Sequence, residues 1–336
     1  MPGTTQRTLP FVYKLAAGLA GLAAMFAIAM IFGAADVTLQ DVWLSIVSGT
    51  GNEQVLLLRE IRLPREVAAL TVGAALAVSG AVMQGITRNP LADPGLLGLT
   101  AGANAALALS MALLPSLGTV GIVIACFLGA AGGTLLVFGI GSLRRGGFSP
   151  LRLVLAGAAI STFLYAVAEG IALYFHISQD VSLWNAGGLI GTTWSQLQII
   201  VPVVAAGIIA AILLSRQLTV LSLSEEVAAG LGQNITLIRT ALLIVIILLA
   251  GASVALAGKF VFLGLMIPHI VRAMVGTDYR FIIPMSAVAG AIFMLLADLV
   301  GRTLNAPLET PVVAVVAVIG LPFFLYVVYK GGREFS

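Results

Sequence analysis

Residues 94–143 read PGLLGLTAGANAALALSMALLPSLGTVGIVIACFLGAAGGTLLVFGIGSL, fifty positions without one Lys, Arg, Asp or Glu. About twenty apolar helical residues cross the hydrocarbon of a bilayer, so this run holds two crossings. Pro115, Ser116 and Gly118 fall near its middle and supply the turn between them. The pattern repeats on both sides. Further runs cover 15–35, 67–87, 153–179 (broken only by Glu169), 181–215, 240–258, 260–271, 281–297 and 310–329. The count is ten spans in one domain, residues 1–336. The run at 15–35 is too long for a signal-peptide core and reads as a retained first span. The run at 260–271 is too short for a full crossing, which predicts a tilted or broken helix.

Composition agrees. Charged residues make up 9% of the 336 positions, against about 25% in soluble domains. So few charges cannot cover the surface of a soluble enzyme, and a disordered chain needs the opposite composition. The net charge of +3 is scattered between apolar runs and does not point to nucleic acid. The single Cys126 forms neither an internal disulfide nor a metal cluster. An even number of spans puts both termini on one side. If that side is the cytoplasm, twelve basic residues lie inside and five outside (Arg59, Arg62, Arg65, Lys259 and Arg302), as the positive-inside rule requires. Small residues recur every four positions at Ala69, Gly73, Ala77 and Ala81, at Gly98, Gly102 and Ala106, and at Ala125, Gly129 and Gly133. Such stripes let helix backbones approach closely within one subunit.

Several chemistries are missing. The three lysines, Lys14, Lys259 and Lys330, are followed by Leu, Phe and Gly, so no P-loop Lys-Ser/Thr pair exists. His176 and His269 lack zinc-ligand spacing, and no metal site is expected. No Ser-His-Asp set is apparent, so no catalytic residue is assigned. Glu169 and Asp298 are the few ionisable groups inside the spans, whereas ion-driven carriers usually bury more carboxylates.

Three polar segments look built for partners. Arg59-Glu-Ile-Arg62-Leu-Pro-Arg65-Glu66 stands at the outer mouth of the second span, with Pro64 in the first turn of its helix. Thr87-Arg88-Asn89-Pro90-Leu91-Ala92-Asp93-Pro94-Gly95 forces an irregular inner connection, either a plain turn or the lining of a path. Residues 216–239 form the longest inner loop. There Ser224 can cap a helix whose first turn holds Glu225 and Glu226, with Leu223, Val227 and Leu231 on one face and Gly230 or Gly232 at its stop. Its polar face lacks the Lys and Arg of interfacial helices, which favours docking into a partner's groove.

With these residues in view, the chain resembles the permease subunits of ABC importers for iron-siderophores, haem and cobalamin (the FecCD/BtuC-like family). The resemblance rests on Arg62-Leu-Pro-Arg65 running into residues 72–84, VGAALAVSGAVMQ. It rests also on Arg88-Asn-Pro-Leu-Ala-Asp-Pro-Gly, on residues 262–269, FLGLMIPH, with Arg272, and on Asp298 with Arg302 before residues 320–324, GLPFF. Leu221 to Gly232 matches as well, so the likeness covers nearly the whole chain. It implies an all-α, type II importer permease of ten helices, working with a second identical or similar permease. It also implies two ATPase subunits that hold ATP and Mg, an extracytoplasmic binding protein, and a place in the bacterial cytoplasmic membrane. No cofactor is expected on this chain.

By the same resemblance, Arg62, Arg65 and Arg302 match positions that meet acidic residues of the binding protein. Leu221, Ser222, Ser224, Glu225, Glu226, Gly230, Leu231, Gly232 and Asn234 match the coupling segment that enters the ATPase. Asn89 and Pro90 match one cytoplasmic gate region, and Ser149 and Pro150 align with the other. Glu169 and His176 either line the substrate path or face water at the interface. His269 reads as a packing residue rather than an iron ligand. Asp298, four residues before Arg302, can orient that arginine. The function implied is uptake of an iron(III)-siderophore or related chelate, with haem or cobalamin as alternative cargo. The rivals from other classes are an ion-coupled carrier and a membrane-embedded enzyme.

Overall fold

A computed structural model of the chain describes residues 10–32, 38–47, 53–142, 150–306 and 308–334. They are helical with no strand among them. Among the described residues eight helices are long and apolar enough to cross a membrane, and two shorter apolar helices, Leu99–Leu113 and Leu263–Val275, accompany them.

The chain opens with α1 (Phe11–Ile31), α2 (Leu39–Val47) and α3 (Glu53–Leu57). A π-helical turn, Leu58–Arg62, then joins α3 to α4 (Leu63–Thr87) without a break. The sequence had placed Pro64 at a helix start. The helix instead runs through it, because a proline ring collides with the carbonyl four residues back and the wider π turn relieves that clash. Next come α5 (Leu99–Leu113), α6 (Thr119–Ser142), α7 (Pro150–Tyr174), α8 (Ser178–Gly187) and α9 (Trp194–Leu213). The inner segment forms two short helices, α10 (Ser215–Leu223) and α11 (Glu225–Gly230), where the sequence suggested one helix in a loop. α12 (Ile235–Ala257), α13 (Leu263–Val275), α14 (Tyr279–Thr303) and α15 (Val312–Glu334) complete the bundle.

α4 is the buried centre. From Ala68 to Thr87 every residue but Leu70 is buried. It packs most extensively on α14, and also on α12 and α13. The small-residue stripe makes this contact. A methyl group at Gly73 would collide with the Gly290 carbonyl of α14, and one at Gly80 with the Gly264 carbonyl of α13. The two other stripes meet each other. Gly98 and Gly102 face Gly129 and Gly133, so α5 and α6 touch backbone to backbone inside one chain.

Two segments depart from simple crossings. Where the sequence showed a polar lead-in to a span, α8 turns back into the bundle. Its Asn185 Nδ2 donates to Asn104 Oδ1 on α5 at 2.7 Å. Asn104 lies roughly 14 Å below the Leu113 end of α5 at 1.5 Å per residue. The second departure is residues 258–262, between α12 and α13. α13 has 13 residues, about 20 Å, too short for a crossing of about 30 Å. Its start packs on Gly80 of α4, roughly 10 Å from the Thr87 end. The start of α13 therefore lies at membrane depth, and Lys259, itself exposed, lines a cavity beside it.

The close approaches predict a contrast. Gly80→Ala is expected to cost about 1–3 kcal/mol by forcing α4 and α13 apart. Gly132→Ala, where a methyl group meets open space, is expected to be neutral or stabilising by up to about 1 kcal/mol from helix propensity. Thermal unfolding in detergent measures both.

Candidate functional site

At the N-terminal end of α4 the expected docking arginines are bound to this chain's own groups. Arg65 Nη1 donates to both carboxylate oxygens of Glu309 at 2.9 Å, and its Nε donates to Asp298 Oδ1 at 3.0 Å. Arg302 meets Glu66 Oε1 at 2.5 Å and Asp298 Oδ2 at 3.0 Å. The i, i+4 pairing of Asp298 with Arg302 is thus present. Arg302 also donates to the Ala29 carbonyl at 3.1 Å, and Arg62 to the Met30 carbonyl at 2.7 Å. Both arginines satisfy carbonyls in the last turn of α1, where the helix dipole favours a cation. The side chains of Arg65 and Arg302 are only 11% and 8% exposed, and Asp298 and Glu66 are fully buried. Arg62 is half-buried and has no carboxylate at ion-pair distance among the described residues. The sequence reading missed Glu66 and Glu309 as internal partners. The signal was available, because three arginines beside a membrane require counter-charges nearby.

The inner end of α4 holds a second cluster. Arg88 caps α4 in the left-handed conformation, φ 52°, and reaches Glu225 at 3.3 Å. Glu225 also pairs with Arg239 of α12 at 2.8 Å. Ser224 caps α11 by accepting from Val227 N at 3.1 Å, and Asn234 caps α12 by accepting from Leu237 N. The Glu226 backbone N–H and the Ser224 hydroxyl hold the Glu226 carboxyl below its usual range. Gly232 takes φ 77°, which allows the chain to turn out of α11. Ser222 only back-bonds to the Thr219 carbonyl, and Leu221 is buried. Leu223, Val227 and Leu231 are 68%, 45% and 68% exposed. They form the uncovered apolar face expected from their spacing. α10 is fastened to α14, since Thr219 Oγ1 accepts from Tyr279 N at 3.0 Å and bonds to Asp278. The Arg280 side chain, in contact with Asp278, keeps that carboxyl below its ordinary range.

Asn89 and Pro90 form the turn after Arg88. Asn89 Oδ1 accepts from Leu91 N at 2.9 Å, and Ala92 N donates to the Asn89 carbonyl. Asn89 also lines a small void against Leu153 and Val154 of α7. Pro150 begins α7; Ser149 lies outside the described residues.

Two large cavities lie along α5, α7 and α12. One, about 500 Å³, is bounded by Asp180, Trp184, Thr192 and Gln196. The other, about 450 Å³, is bounded by Asp93, Tyr165, Lys259 and the residues leading into α13. A third, small void lined by Trp184, Asn185, Asn104 and Gly258 shares Trp184 with the first cavity and Thr100 and Lys259 with the second. Glu169 and His176 are exposed and line neither cavity. His269 packs edge-on against Phe323, centroids 5.8 Å apart.

The outer network predicts unequal costs. Asp298→Ala leaves two buried guanidiniums short of a partner and is expected to cost about 3–5 kcal/mol. Glu309→Gln, at a side chain 38% exposed, is expected to cost about 0–1 kcal/mol. Denaturation of the purified chain in one detergent compares them.

Known proteins resemble this chain over most of its length. The model of the FecCD transport family matches residues 21–330. The iron(3+)-hydroxamate import system permease protein FhuB of Bacillus subtilis is 43% identical over 98% of this chain and 86% of its own length. The hemin transport system permease protein HmuU of Yersinia pestis is 39% identical over 82% of this chain and 84% of its own. A solved metal-chelate type ABC transporter in an inward-facing conformation superposes with a TM-score of 0.83 at 29% identity, covering 95% of this chain and 99% of that one. A family match spanning nearly the whole chain places this protein in the FecCD transport family.

Proposed function

We propose that the chain is the multi-pass permease subunit of an ATP-binding cassette importer that brings an iron(III)-siderophore or related ferric chelate into the cytoplasm. Relatives named for ferric hydroxamate, ferric citrate and hemin support this cargo class. The observation that carries the reading is α11. It is a capped helix with an uncovered apolar face, tied through Glu225 to the end of α4 and to α12. Such a helix needs a groove to fill, and a separate ATPase subunit supplies one. The chain has no P-loop, so hydrolysis belongs to that partner.

The mechanism is alternating access. Movement of the ATPases displaces α11, and the Glu225 pairs pass it to the Arg88–Asn89–Pro90 connection and to α12. The two cavities that share residues with the small Trp184 void then open in turn, beside a second permease subunit. A loaded binding protein engages the opposite end, with both termini of the chain in the cytoplasm. Its acidic residues meet Arg62, Arg65 and Arg302, in competition with Glu66 and Glu309. Arg62 is the readiest of the three, because only carbonyls hold it. Charge there steers the encounter more than it sets affinity.

Two outcomes test the two ends. Gly230 has open space around it, so Gly230→Trp should leave the thermal stability of the chain intact. Co-purification with the ATPase, or ATP-driven ferric-chelate uptake in proteoliposomes, should be lost. If both survive, α11 is not the coupling helix. Arg62→Glu should lower uptake about tenfold or more while basal ATPase activity persists. Uptake at the parent rate removes Arg62 from docking.

A further inference from the structure

The cavity at the α12–α13 break carries a charge that the fold does not use. Lys259 lines this cavity and is exposed there; a lysine within a membrane bundle is costly unless paired or hydrated. Among the described residues no carboxylate lies at ion-pair distance from its Nζ. Its recorded neighbour is the Tyr165 ring of α7, with Nζ 5.8 Å from the centroid. The acid on the same cavity, Asp93, has Oδ1 occupied by the Gly95 N–H at 2.7 Å. It attracts Lys259 across the space without touching it. The hydroxyls of Thr100 and Ser161 complete the polar lining.

A second feature has the same sign. α13 is a half-length helix, and its N-terminus opens on this cavity through Phe260, Val261, Phe262 and Leu265. The first-turn N–H groups of a helix have no acceptor within it, and they carry the positive end of the dipole. In interrupted membrane helices such ends face anionic groups of the cargo. Phe262 at φ 70° caps the helix with no side-chain hydrogen bond, and its carbonyl accepts from Leu265 N at 3.1 Å and Met266 N at 2.8 Å.

We infer that this cavity is a station for the anionic part of the cargo, with Lys259 and the first turn of α13 receiving a carboxylate or other negative donor group of a ferric chelate. The inference rests on the permease reading and narrows it. Lys259 becomes a specificity-determining residue that favours negatively charged chelates over neutral ones. The Tyr165 ring offers an apolar wall for the ligand's carbon skeleton, and Asp93 repels a second negative group from the far side. Trp184, on the small void that shares Thr100 and Lys259 with this cavity, is close enough to report occupancy by its fluorescence.

The test uses the permease assembled with its ATPase subunits in nanodiscs. The probes are ferric citrate, which is anionic, and an uncharged iron(III) trihydroxamate, each followed by quenching of tryptophan emission. Lys259→Gln is expected to weaken ferric citrate by about tenfold or more. Binding of the uncharged chelate stays unchanged, and Lys259→Arg retains most of the affinity for ferric citrate. The inference is overturned if Lys259→Gln leaves ferric citrate binding at the parent value, if both chelates weaken together, or if the parent complex binds neither. Uptake by cells carrying the parent complex separates the two readings. ATP-dependent uptake of a ferric chelate without a Lys259 effect removes the station alone. The absence of any ferric-chelate uptake removes the permease reading itself.

Discussion

Lipid supplies no hydrogen-bond partner, so a helix in the middle of a membrane bundle must be held by contact with its neighbours. For α4 that contact is backbone against backbone. Gly73 against Gly290 and Gly80 against Gly264 bring three helices closer than any side chain permits. Dispersion over these flat seams replaces the hydrophobic drive that a soluble core would use. Everything else in the fold is arranged around that central rod. The partly opened α13 start, the inner clasp and the outer ion network all take their positions from α4.

One rigid helix therefore joins the two charged regions. Arg65 and Glu66 lie in its first turn and Arg88 is its cap, so outer and inner clusters are fixed to opposite ends of the same element. The inner end is secured again by Gln84, which accepts from Arg272 and donates to the Gly264 and Leu265 carbonyls. A buried ion network contributes little net stability, because desolvation offsets most of its attraction. It ties the ends of α4, α14 and α1 together, because Arg65 and Arg302 share Asp298 while Arg62 and Arg302 hold α1 carbonyls.

Much of this was legible in the sequence, for physical reasons. Charge is excluded from lipid, so runs such as 94–143 marked the crossings. Small residues at spacing four marked the seams at Gly73, Gly102 and Gly129. The Ser224 cap and the Leu223, Val227 and Leu231 face followed from helix geometry. What stayed hidden depends on contacts between distant positions. No local pattern announces that Arg65 meets Glu309 or that Arg88 meets Glu225. The run at 260–271, too short to cross, did announce a half-length helix, α13.

The two irregular segments show why a broken helix belongs in this protein. At residues 258–262 and in the turns on either side of α8 the helices are interrupted within the bundle. Groups freed in this way are tolerable only beside water, protein or cargo. Both breaks border cavities, and the small void that shares residues with both cavities includes their meeting point, Asn185 against Gly258. A continuous α12 would have sealed this region with apolar surface and left nothing polar for a chelate to contact. The interruption instead leaves Lys259 and the hydroxyls of Thr100 and Ser161 on one cavity.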